Sequence, residues 1–202
     1  MKLPWASRPG CPKYITARRM TGLNREDYKK ARDSLSVEER RAFSKIVCHA
    51  IIDTREYKNA RRLMAYWAIG SELSLECLIS HALDSGRELY LPVCARDGSM
   101  EGARLTGEDK LARGACGVPE PAGEIAAPEE LDLIIAPMLA FNSKCFRIGW
   151  GRGYYDRYLI RTQAKRLGAA FSCQLDEGLM VKPHDVRLDK IITETRVWIP
   201  GD

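Results

Sequence analysis

From Arg147 to Leu159 the chain reads Arg-Ile-Gly-Trp-Gly-Arg-Gly-Tyr-Tyr-Asp-Arg-Tyr-Leu, with glycines at three alternate positions, Gly149, Gly151 and Gly153. Glycines so placed admit positive φ and bring backbone amides against a ligand with no side chain in the way. Arg147 and Arg152 add full charges and forked donors that match an oxyanion. Phosphate is the expected guest. Helical spacing at Tyr155, Leu159 and Ile160 follows, so outward amides at a helix start are expected to face the same anion. Asp156 falls in the first turn, where the helix dipole favours a carboxylate, and it is placed to hold a magnesium ion carried in by the phosphate. Asp185, in Pro183-His-Asp185, is the expected second oxygen ligand, because magnesium is usually held by one or two carboxylates plus substrate phosphate. Asp189 is the alternative.

The spacing excludes two common phosphate motifs. In G-x-G-x-x-G the third glycine would fall on Tyr154, and G-x-x-x-x-G-K-[ST] is absent. A covalent mechanism has no evident nucleophile, since Gly-x-Ser-x-Gly is missing and no cysteine neighbours a histidine at a catalytic spacing, Cys48 and His49 lying in a helical segment. Phosphoryl chemistry needs none, only positioning and charge neutralisation. The competing reading is a glycine-rich turn with surface arginines.

The elements that must position these groups alternate. Asn24 caps a helix reaching Leu35, with Glu26 and Asp27 in its first turn, and Ser36-Val-Glu-Glu39 is a capping box opening a second helix with Phe43, Ile46, Val47, Ala50 and Ile51 on its apolar face. Leu63–Ala68 reads as a strand, Ser74 caps a helix ended by Gly86, and Glu88–Val93 is the next strand, a β-α-β unit. After a hairpin-like excursion, a brief helix near Glu108–Ala112 and a loop through Gly117–Pro121, the apolar Leu131–Ala136 returns to the sheet. A helix is expected from about Gly153 to Leu167, then strands at Ala169–Cys173, Lys190–Thr193 and Arg196–Ile199. This alternation predicts a three-layer α/β/α sandwich with a mostly parallel, open, Rossmann-like sheet that lacks the dinucleotide fingerprint. Ligands bind such sheets beyond the carboxyl ends of the strands, where the glycine loop falls.

At 202 residues, 45% hydrophobic and 29% charged, the chain suits one domain over residues 23–202, with residues 1–22 expected to be a flexible extension. Residues 1–25 lack acids but carry prolines that oppose an amphipathic targeting helix, and there is no apolar signal core. No apolar run reaches the length of a membrane span. Seven cysteines without a C-x-x-C pair point to reduced thiols and a cytoplasmic setting. The net charge of +5 is uneven: residues 1–62 hold 16 Lys and Arg against 7 Asp and Glu, the remainder 16 against 20. The basic part has few aromatics to stack on bases, so an anionic small molecule explains it better than nucleic acid.

The run Arg147–Leu159, preceded by Asp132-Leu-Ile-Ile-Ala-Pro137 and Ala140-Phe141, resembles the signature of the 5-formyltetrahydrofolate cyclo-ligases, also called 5,10-methenyltetrahydrofolate synthetases. The resemblance runs from about Leu35 to the C-terminus. It implies ATP- and magnesium-dependent conversion of 5-formyltetrahydrofolate to 5,10-methenyltetrahydrofolate with release of ADP and phosphate, in a monomer that binds neither nucleic acid nor membrane. It places ATP against Arg25, Arg147, Ile148, Gly149, Trp150, Gly151, Arg152, Gly153, Tyr154 and Tyr155, and magnesium at Asp156 and Asp185. The folate falls to Trp67, Glu72, Trp150, Gly151, Arg152, Gly153 and Tyr154, and Arg147 and Arg152 are the catalytic groups. Local context alone would make Glu72 a helix-end carboxylate and Trp67 a core residue. Three positions depart from the family pattern. Thr21 stands where a lysine is usual, leaving Arg18 or Arg19 to replace it; Cys145 replaces a glycine; and Arg152 replaces lysine or glycine. A sugar-phosphate isomerase or CoA-transferase-like enzyme, and a basic RNA-binding module, are the alternatives, separated by ATP dependence and by salt-sensitive RNA affinity.

Overall fold

The computed structural model describes residues 23–106, 111–114 and 117–201. Expectations for residues 1–22, including Arg18, Arg19 and Thr21, and for Glu108 to Lys110 lie outside the described residues.

Helix α1 (Arg25–Asp33) opens at Asn24, whose side chain accepts from the amides of Glu26 and Asp27 while Asp27 returns a bond to the Asn24 amide. Ser36 and Glu39 make the same reciprocal pair ahead of α2 (Val37–Ile52). A short α3 (Arg55–Asn59) capped by Thr54 follows, too brief to leave a periodic signal in the sequence. Strand β1 (Arg62–Met64) leads through irregular chain to α4 (Glu76–Asp84), where Ser74 Oγ accepts from the Glu76 amide. The chain continues as β2 (Glu88–Cys94), β3 (Met100–Leu105), β4 (Leu111–Arg113), β5 (Pro119–Pro121) and β6 (Ile125–Ala126). Then come β7 (Leu133–Ala136), β8 (Ala140–Phe141), β9 (Arg147–Ile148), α5 (Tyr154–Leu159), β10 (Lys165–Ala169), β11 (Lys190–Ile192) and β12 (Val197–Trp198).

Eight strands form one sheet in the order β12-β11-β10-β7-β1-β2-β3-β6. The five central strands β11, β10, β7, β1 and β2 run parallel, and the flanking β12, β3 and β6 are antiparallel additions. Alternation assigns the side chains to two cores. Leu63, Leu89, Leu91, Leu133, Ile135 and Leu167 pack with α2 and α4 on one face. Met64, Tyr90, Ile134, Ala136 and Ile191 pack with Tyr158 and Leu159 of α5 on the other. Each fully buried Leu or Ile contributes on the order of 1.5–3 kcal/mol, so both layers hold the sheet in place behind the site.

Several expectations are corrected. The helix predicted to reach Leu167 stops at Leu159, and residues 165–169 are the central strand β10 instead, so the strand expected at Ala169–Cys173 begins four residues earlier. Ile160, Ala164 and Leu167 mimic a helical stripe, but the sheet requires a strand between β7 and β11 and the chain supplies it here. Gly168, which follows the expected helix and would read as its stop, is instead a close-packing position within β10: a Cβ there would stand 2.5 Å from the Met138 methyl and 2.9 Å from a Leu188 methyl. Likewise Leu111 and Ala112, expected in a brief helix, and Pro119–Pro121, expected in a loop, pair as β4 and β5.

Cys145, where a glycine is usual, has φ 63, the left-handed region, and is the one non-glycine there among the described residues. Its amide closes a turn onto the Asn142 carbonyl at 3.0 Å and its carbonyl accepts from Leu188 at 3.0 Å, which holds the strained backbone in place.

Candidate functional site

A cleft of about 970 Å³ lies beyond the carboxyl ends of the parallel strands, bounded by Tyr66 and Trp67 after β1, Cys94 at the end of β2, and Pro137 and Met138 after β7. The β8–β9 hairpin carries the glycine loop out to form the facing wall.

Within that loop Gly151 (φ 95) and Gly153 (φ 68) take left-handed conformations that residues with a Cβ rarely adopt. Both also face an arginine side chain. A Cβ at Gly151 would stand 2.8 Å from the Arg25 guanidinium, and one at Gly153 would stand 2.8 Å from Arg157. Arg25 Nε donates to the Gly149 carbonyl at 3.0 Å, docking α1 on the loop. Arg157 donates to the Arg152 carbonyl at 2.8 Å and the Gly98 carbonyl at 2.6 Å, while Tyr154 donates to the Ala95 carbonyl at 2.9 Å. These bonds tie the loop to the β2–β3 turn. Arg157→Ala is therefore expected to speed amide hydrogen exchange across residues 149–153 while costing less than about 1 kcal/mol of global stability, as for other exposed contacts. Unaltered loop exchange would remove Arg157 from this role. The helix behind the loop has only six residues, so its dipole adds less than the sequence suggested.

Arg147 lies on the cleft floor at 5% exposure. Its Nη2 sits 3.1 Å from Asp156 Oδ1, its guanidinium lies 5.4 Å from the Tyr155 ring centre, and its Nε has no hydrogen-bond partner. Burial pulls its pKa down, and the neighbouring Asp156 carboxylate, first of all, opposes that pull. The Tyr155 hydroxyl is also buried without a partner, and its pKa is pushed far up by burial. Both are buried polar atoms left without a partner next to the cleft lining. Asp156 Oδ1 also accepts from the Val186 amide at 3.4 Å, which brings the Asp185 segment alongside; Asp185 Oδ2 accepts from the Lys182 amide at 2.7 Å. No cluster of three metal-ligating side chains occurs among the described residues. The pair of carboxylates fits a hard cation that keeps most of its coordination for water and phosphate.

Across the cleft, Glu72 is folded under the loop. Oε2 accepts from the Ile69 amide at 3.2 Å, Oε1 from the Trp150 indole at 3.3 Å, and Arg32 Nη1 lies 3.8 Å from Oε1. Burial raises the Glu72 pKa; the Ile69 amide, Arg32 and Trp150 counter it. Trp67 is half-buried, packing on the α2–α4 core with an edge to the cleft.

Arg25, Trp67, Glu72, Asp156, Asp185 and every residue from Arg147 to Tyr155 line this single cleft. Asp189 does not join them: its Oδ2 accepts from the Arg166 amide at 2.8 Å, at the amino end of β10 and away from the cleft mouth. Sequence reasoning missed Arg32, Arg157 and Tyr66. Only long-range contacts reveal them, though Arg157 stands inside the glycine-loop signature.

The profile of the 5-formyltetrahydrofolate cyclo-ligase family matches residues 18–194. A probable 5-formyltetrahydrofolate cyclo-ligase of Caenorhabditis elegans is 30% identical over 176 residues, covering 79% of this chain and 85% of its own. The Mus musculus 5-formyltetrahydrofolate cyclo-ligase is 28% identical over 189 residues, covering 84% and 91%. The solved structure of Aquifex aeolicus 5,10-methenyltetrahydrofolate synthetase is similar with a TM-score of 0.79 and 34% identity, covering 88% of this chain and 91% of that one.

Proposed function

The chain belongs to the 5-formyltetrahydrofolate cyclo-ligase family, and we propose that its cleft converts 5-formyltetrahydrofolate and ATP to 5,10-methenyltetrahydrofolate, ADP and phosphate. One observation carries the reading. A glycine loop, a buried Arg147 paired with the half-buried Asp156, and a buried carboxylate, Glu72, converge on one cleft at the carboxyl ends of parallel strands.

In this reading the loop amides and Arg25 hold the nucleotide phosphates, while Trp67 and Trp150 flank the flat rings of the folate. The formyl oxygen bonds to the γ-phosphorus as the bond to the ADP oxygen breaks. N10 then attacks the activated formyl carbon, its proton is released, and the carbon–oxygen bond breaks to free phosphate. Arg147 and Arg152 stabilise the charge that moves onto the transferred group. Asp156 and Asp185 would hold magnesium, which when bound neutralises phosphate charge. A monomer in the cytoplasm accords with this chemistry, with anionic small molecules rather than nucleic acid as partners. Among the described residues no helix is long and apolar enough to cross a membrane. Cys48 and Cys173 are thiols whose pKa burial pushes up to about 12, as expected of inert packing residues.

Mixing the protein with 5-formyltetrahydrofolate, ATP and magnesium should produce the near-ultraviolet absorbance of the methenyl product. Absence of an ATP-dependent signal would overturn the assignment and favour an isomerase or CoA-transferase-like reaction that needs no nucleotide. Asp156→Asn is expected to raise the magnesium concentration needed for half-maximal turnover, since an amide is a weaker ligand than a carboxylate. An unchanged magnesium dependence would take Asp156 out of the metal site.

A further inference from the structure

Arg32 is 2% exposed, near the end of α1, a position from which a cation is rarely removed from water. It has specific company. Its Nε donates to Ser71 Oγ at 3.0 Å, Ser71 Oγ in turn donates to Asp33, and its Nη1 lies 3.8 Å from Glu72 Oε1. The Glu72 side chain is only 8% exposed, and its other two contacts, the Ile69 amide and the Trp150 indole, are neutral.

We propose that Arg32 is a positioning residue for the folate side of the cleft. From behind the cleft wall it opposes protonation of the Glu72 carboxylate and holds it aimed, so that the carboxylate can accept hydrogen bonds from a flat heterocycle. The proposal rests on the reading that the folate occupies this half of the cleft. Three points support it. A buried carboxylate with only neutral donors tends to take up a proton, and a protonated oxygen donates rather than accepts. A cation within about 4 Å opposes that tendency. Ser71 precedes Glu72 directly, so the Arg32–Ser71 bond fixes the backbone from which the carboxylate projects.

Arg25 and Arg32 stand two turns apart on the same helix, one against the glycine loop and the other behind Glu72. A general disturbance of α1 would therefore reach both substrates, whereas loss of the Arg32 charge alone should affect only one. That difference separates positioning from mere support.

Arg32→Met keeps the apolar stem and removes the charge, while Arg32→Lys keeps a charge and loses the fork. Arg32→Met is expected to raise KM for 5-formyltetrahydrofolate roughly tenfold or more, with KM for ATP within about twofold, and Arg32→Lys should fall between it and wild type. Glu72→Gln should raise the folate KM similarly, and adding Arg32→Met to Glu72→Gln should do little more, because the two act through one carboxylate. Equal shifts for both substrates, or full additivity, would overturn the proposal. A second readout needs no turnover: the indole N–H resonance of Trp150, assigned with Trp150→Phe, reports its bond to Glu72. It should move in Arg32→Met and, if that variant folds poorly, in Arg32→Lys. An unmoved resonance in a folded variant would refute the role of Arg32 whatever the enzyme's substrate, whereas wild type lacking turnover would refute only the assignment of the reaction.

Discussion

Arg147→Met is expected to bring turnover down by at least two to three orders of magnitude and to lower the thermal midpoint in the same protein. The two losses have one origin. Arg147 is buried with its guanidinium 3.1 Å from Asp156, so removing it strips the cleft floor of its fixed positive charge and leaves the carboxylate facing an apolar stem. Breaking a buried ion pair from one side costs about 3–5 kcal/mol, and the Asp156 side chain, 22% exposed, places this pair toward the lower end. The turnover loss follows from the loss of a preorganised donor where phosphoryl charge develops, typically about 10²–10³ in kcat for one donor. Single-turnover kinetics beside thermal denaturation would check both. Adding Asp156→Asn should restore part of the midpoint, because no uncompensated carboxylate remains, and none of the turnover. If Arg147→Met keeps its kcat and loses only stability, Arg147 serves to anchor Asp156 and the phosphate is held elsewhere.

What could be read in the sequence was what is local. The Asn24 and Ser36 caps are short-range chemistry, written in three or four consecutive residues, and both appear as expected. The glycine loop was legible for the same reason, as a local run of alternate glycines with Arg147 and Arg152, although that pattern alone also fits a plain turn with surface arginines. Its supports were not. Arg25, Arg157 and the Trp150–Glu72 bond span 124, 59 and 78 residues of sequence, and nothing in the spacing of those residues announces the contacts. The misplaced helix shows the complementary failure. Ile160, Ala164 and Leu167 satisfy a helical period, yet a sheet with a gap between β7 and β11 outweighs a weak local preference, and Gly168 serves close packing rather than termination. Asp185 and Asp189, only four residues apart, looked interchangeable as ligands. They lie at opposite ends of the sheet because β11 begins at Lys190 and the chain has to descend from the cleft to reach that start.

Arg152 should respond differently from Arg147, although both belong to one loop. It is exposed, and it sits between Gly151 at φ 95 and Gly153 at φ 68, so its backbone is held by the loop while its side chain lies along the cleft. Its carbonyl, accepting from Arg157 at 2.8 Å, keeps that backbone in place whatever the side chain is. Arg152→Ala is therefore expected to change stability far less than Arg147→Met does. If Arg152 serves the proposed phosphoryl transfer, its effect should fall on kcat, by roughly ten- to a thousandfold, because such a charge gains most as the transition state forms. KM for ATP should move much less. Arg152→Lys should recover a large part of the rate, since a point charge serves a phosphate even without the fork. Initial-rate kinetics over both substrates, with thermal midpoints measured alongside, distinguish this from a binding role. A raised KM for ATP at unchanged kcat would make Arg152 a ground-state phosphate contact, and the developing charge would then be borne by Arg147 and the loop amides.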